Sequence, residues 1–151
     1  MIKNKKAGFT LIEMMVVIAI IGILSAIVMV QLNSARNKGA DANVKSNLAN
    51  LRSQAEFYYD NNSNSYGTFS VASCPSTAST GVFSDQRVVD AIASAALAGG
   101  GNGTRCVATG TTYAISVGLK TAGQSWCVDS AGASKQFAGT PTAAISGGLC
   151  S

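Results

Sequence analysis

A single carboxylate stands among apolar side chains: Glu13 is the sole ionisable residue in the 22-residue run from Phe9 to Val30, FTLIEMMVVIAIIGILSAIVMV. A charge inside a bilayer costs about 2.5–3.5 kcal/mol on insertion scales, so Glu13 needs a cation. Other chemistry is thinly supplied. There is no histidine, no Gly-x-Ser-x-Gly segment and no pair of carboxylates spaced for acid–base work, so the composition points away from an enzyme. Cys74, Cys106, Cys127 and Cys150 all follow the apolar run in a glycine-rich half, and their even number points to two disulfides formed in an oxidising compartment. Zinc would need histidines or Cys-x-x-Cys spacing, so no metal and no cofactor is expected.

Two further patterns resolve into ordinary structure. Asp60-Asn61-Asn62-Ser63-Asn64 starts like a calcium loop, but Ser65 stands where that loop needs glycine and Val71 where it needs a bidentate glutamate, which leaves a turn. Asp129, in the turn after the second strand, is a separate calcium candidate. Tyr58 and Trp126 fall on apolar faces, so packing explains them better than a stacking surface for single strands.

The elements that hold these residues follow from periodicity. As a helix the apolar run spans about 33 Å, enough to cross a bilayer core of about 30 Å. No proline precedes Pro75, and Val44, Leu48, Leu51, Ala55 and Tyr58 continue a helical stripe, so one helix is expected from Phe9 to about Tyr59. Gly39 is its softest point. Asp41 with Lys45, and Arg52 with Glu56, read as solvated i,i+4 pairs. Ser84 is placed to cap a second helix over about Asp85 to Leu97, with Val88, Val89, Ile92 and Ala96 inward. The period then becomes two: Thr112 to Leu119 reads as a half-buried strand, Gln124 to Asp129 as a second with Trp126 and Val128 inward, and Ser134 to Ala138 as a third. The expected fold class is α+β, a long N-terminal helix packed on a small antiparallel meander. Its segments are a leader (1–8), a membrane-spanning half-helix (9–30), an amphipathic half-helix (31–60) and a head (61–151).

Net charge is +4, but Lys3, Lys5 and Lys6 carry three of those charges in the first eight residues, and the remainder is only +1. That leader, the block Lys6-Ala7-Gly8-Phe9-Thr10-Leu11-Ile12-Glu13 and the unbroken apolar helix resemble the class III signal of type IV pilins and pseudopilins. The resemblance runs residue by residue from Lys6 to about Val30. It implies cleavage between Gly8 and Phe9 by prepilin peptidase at the cytoplasmic face, N-methylation of the new Phe9 terminus, and polymerisation with helices parallel. Glycine at the cut suits a protease that must approach an extended backbone closely. The freed amine of Phe9, cationic at neutral pH, is four residues from Glu13 and supplies the missing cation, from the same chain or from a neighbour. Gly22 and Ala26, with Ser25 beside them, form a small-xxx-small spacing for close helix approach. Family members often carry proline where Val30 stands, so a kink or partial melting there is not implied.

Four cysteines allow three pairings, which spacing alone leaves open. Sequential pairing is preferred: Cys127 with Cys150 resembles the disulfide-bounded loop of many pilins, and Cys74 with Cys106 would tie the connection from helix to sheet. The reading that follows is a pilus subunit, inserted once in the cytoplasmic membrane with its head outside and later part of an extracellular or periplasmic homopolymer. Its partners are prepilin peptidase and the pilus or secretion assembly machinery; nucleic acid enters only through filament function. The nearest alternative is a pseudopilin of a type II secretion or competence system. A more distant one is a signal-anchored secreted binding protein or enzyme, cut beyond the apolar run near Ala35.

Overall fold

The computed structural model describes residues 8–151, so Lys3, Lys5, Lys6 and the rest of the leader before Gly8 lie outside the described residues. Helix α1 runs unbroken over Leu11–Asn61, two residues later at each end than its periodicity suggests. The chain divides into two units, one ending at Arg36 and the other spanning Asn37–Ser151. In the first, every described residue is exposed.

The second unit is an α+β head. Its sheet has the order β1-β2-β3-β4-β5, all antiparallel, with β1 Phe69–Ala72, β2 Thr104–Ala108, β3 Tyr113–Gly118, β4 Gln124–Asp129 and β5 Ser134–Ala138. The expected meander is therefore present and is longer by two strands. β1 and β2 escaped the sequence reading because neither is a clean alternation: β1 carries a register shift, and β2 pairs short apolar residues with Arg105. Helix α2, Gln86–Ala98, connects them.

One core joins these layers. Val44, Leu48, Leu51 and Ala55 of α1 are fully buried against Val88 and Ile92 of α2 and against Cys106, Tyr113, Ile115, Val117 and Val128 of the sheet. Each buried leucine contributes about 1.5–3 kcal/mol over an exposed one. Tyr58 and Trp126 pack at its margin, half-buried. On α2 Ala95 is buried and Ala96 only partly so, a shift of one residue from expectation. Its cap also differs: Gly81–Ser84 forms a 3-10 turn, so Ser84 is consumed there and Asp85 accepts from the N–H of Arg87 at 2.8 Å.

β3 is not half-buried, as its alternation implies, but buried on both faces. Its second face carries Ala114, Ser116 and Gly118, small enough for another layer to lie close. The C-terminal segment supplies that layer, with β6 Ile145–Ser146 paired to β7 Leu149–Cys150 and Pro141, Ala144 and Gly148 buried.

Candidate functional site

The start of α1 is built by Thr10 and Glu13. Glu13 N–H donates to Thr10 Oγ1 at 3.2 Å, while the N–H and the hydroxyl of Thr10 both donate to Glu13 Oε2 at 2.7 Å. This is a reciprocal capping box, and it satisfies backbone donors that a helix start otherwise leaves unpaired. It also fixes the carboxylate beside the first turn, with the second oxygen outside the box. The sequence reading names Thr10 only as part of the signal block and misses its capping role, although the Thr-x-x-Glu spacing was there to be read.

Gly8 and Phe9 precede that box outside any helix or strand and are exposed, Phe9 to 75%. Downstream the apolar side chains are exposed: Ile12, Ile18 and Ile23 are 70%, 65% and 64% exposed. Among the described residues α1 is the one helix long and apolar enough to cross a membrane. A contiguous exposed apolar surface of this kind marks a site of membrane or protein contact. Gly22 and Ala26 are exposed on it, and a Cβ added at Gly22 would meet nothing within 4 Å in the chain itself.

In the head, all four charges read as i,i+4 pairs on the helix are used differently. Asp41 is not solvated but 8% exposed, accepting from the N–H of Lys120 at 2.6 Å, the N–H of Thr121 at 3.3 Å and the Thr121 hydroxyl at 2.5 Å. It holds the turn between β3 and β4, three residues before Val44 on the buried stripe. Lys45 sits 4.6 Å over the Trp126 ring and donates to Gln136 at 3.1 Å. Arg52 donates to the carbonyl of Gly132 at 3.3 Å, and Glu56 accepts from the Tyr66 hydroxyl at 2.9 and 3.0 Å. Long-range geometry outcompetes the weak local pairs because each group finds a fixed partner on the sheet side.

Cys74 is bonded to Cys106 and Cys127 to Cys150, with Cα separations of 4.8 and 5.9 Å. The first ties the segment after β1 to β2; the second ties the terminal layer to β4. Asp129 reinforces the second. It is 2% exposed, and its two oxygens accept the N–H of Ala133 at 2.8 Å and the N–H of Cys150 at 2.9 Å, so both are committed to backbone. Asn61 and Asn62 donate to the carbonyls of Phe57 and Tyr58, closing the end of α1, and Ser63 and Asn64 turn the chain with positive φ.

No curated protein and no solved structure matches the chain. The family model of the prokaryotic N-terminal methylation motif does, over residues 3–29, which takes in the capping box, Glu13 and the apolar surface with Gly22 and Ala26. Residues 3–29 of this chain are thus the class III signal peptide motif of type IV pilins.

Proposed function

We propose that the chain is a non-enzymatic structural subunit of a type IV pilus, cut between Gly8 and Phe9 by prepilin peptidase, N-methylated at Phe9 and polymerised by parallel packing of its N-terminal helices. The observation that carries this reading is the methylation motif on residues 3–29, on a helix whose apolar side chains are exposed. Before assembly the helix anchors the subunit in the cytoplasmic membrane with its head outside; afterwards it lies in the filament interior. The disulfides agree with a head outside the cytoplasm. Glu13, already set by Thr10, receives the Phe9 ammonium of an adjoining copy, which makes axial register a consequence of charge pairing. Adhesion, motility or DNA uptake would be properties of the polymer.

Sequencing the mature N-terminus tests the processing: a start at Phe9, bearing one methyl group, is expected, and a start beyond Val30 would overturn it. Glu13→Val is expected to be cleaved normally and to yield few or no filaments; normal filaments from that variant would remove the pairing role. A pseudopilin shares the same motif, and fibre length separates the two: long surface fibres mark a pilus, short periplasmic ones a pseudopilus.

A further inference from the structure

We infer that the head carries a binding pocket for a small hydroxylated carboxylate of sugar-acid size, with Lys120 holding the carboxylate. The pocket has a volume of about 470 Å³ and lies where three separate segments converge: Asn102 after α2, the turn from β3 to β4, and Gly139 to Pro141 after β5. That volume is in the range of cavities that take small molecules. The site belongs to the head alone and does not depend on polymerisation. Each of its walls is pinned. Asn102 Nδ2 donates to the carbonyls of Gly99 at 3.0 Å and Leu119 at 2.7 Å, and the N–H of Gly118 donates to the carbonyl of Gly103 at 2.9 Å. The backbones approach so closely there that a Cβ on Gly118 would collide with the backbone of Asn102. Asp41 holds the turn through the N–H groups of Lys120 and Thr121, and the N–H of Gly139 donates to the carbonyl of Gly123 at 2.9 Å. A pocket fixed before its ligand arrives loses little binding energy to ordering.

The lining selects the ligand class. Lys120 is the sole charged residue in it, and its ammonium rests over Gly100, where a Cβ would stand 2.7 Å from Nζ. None of the lining residues is acidic, and the oxygens of Asp41 are committed to the turn itself. The remaining polar groups are neutral and of both polarities. Both N–H groups of the Asn102 amide are used, which leaves its Oδ1 as an acceptor. Gln124 Oε1 accepts from Gln136, which leaves the Gln124 NH2 as a donor, and Thr140 adds a hydroxyl. Leu119 and Pro141, both buried, supply apolar surface. A lone cation favours one carboxylate over a neutral or cationic group. Around it, a neutral donor, an acceptor and a hydroxyl match ligand hydroxyls, which both donate and accept, better than they match a second charge. A dianionic phosphate would leave one of its charges without a partner here.

The test titrates the full chain, isotope-labelled and solubilised in detergent, with galacturonate as the probe; galactose, the same ring without the carboxylate, is the comparison. Galacturonate is expected to bind saturably and to move the amide resonances of Gly123, Gln124 and Thr140, and galactose to bind about tenfold or more weakly. Lys120→Gln is expected to weaken galacturonate about tenfold and to bring the two sugars level, because only the carboxylate loses its partner. Lys135→Gln removes an exposed cation of β5 outside the pocket and is expected to change neither affinity. Ala122→Phe fills the pocket without removing a side-chain hydrogen bond and is expected to abolish binding of both sugars, with wild-type unfolding midpoints showing the head intact. Four results would each overturn the site: no saturable galacturonate binding by the folded wild-type chain, equal affinity for the two sugars, tighter binding of inorganic phosphate, or undiminished binding by Lys120→Gln.

Discussion

Glu13 and Asp41 are carboxylates of the same helix with opposite situations. Glu13 is capped by Thr10 within an exposed apolar surface, whereas Asp41 is buried and accepts three hydrogen bonds from the turn after β3. Removing Asp41 strands two backbone N–H groups, so Asp41→Ala is expected to destabilise the head by about 1–3 kcal/mol, with Asp41→Asn milder because an amide oxygen still accepts. Thermal unfolding of the detergent-solubilised chain measures this. A loss under a few tenths of a kcal/mol would show the turn to be held elsewhere. Glu13→Val, by contrast, is expected to leave head stability unchanged, since the side chain of Glu13 hydrogen-bonds only Thr10 among the described residues.

At the scale of elements, α1 is held to the head by a single stripe. Leu48 lies at its middle and is fully buried among residues of both helices and the sheet, so Leu48→Ala is expected to cost about 2–5 kcal/mol by lost burial and the cavity left behind. Denaturant titration reads the change in midpoint. The terminal layer depends on Cys127–Cys150 and on Asp129, because its own strands are two residues each. Cys127→Ser with Cys150→Ser is expected to lower stability by about 2–4 kcal/mol and to open residues 139–151 to proteolysis before the rest of the head. Equal protease resistance of both forms would mean that packing on Ala114, Ser116 and Gly118 suffices.

For the whole molecule, alkaline pH is the direct global probe. Burial raises the Tyr66 hydroxyl well above the ordinary tyrosine range, helped by its hydrogen bond to Glu56; burial likewise raises Tyr113, helped by the Glu56 charge. In the unfolded chain these groups ionise near pH 10. A folded pKa above the unfolded one gives stability that is complete below about pH 10 and is lost as pH rises toward the folded values. Unfolding midpoints are thus expected to be flat with pH up to about 9 and to fall above 10, and a midpoint that keeps rising through that range would contradict the burial of both rings. The long helix, its buried stripe, the meander class and the residues of the methylation motif are legible along the chain, because they rest on local periodicity and on neighbours a few positions apart. The partners of Asp41, Lys45, Arg52 and Glu56, strands β1 and β2, and the layer that buries the second face of β3 emerge only in the folded chain. Those features depend on which groups distant in the chain are brought within hydrogen-bond reach, and spacing along the chain carries no record of that distance.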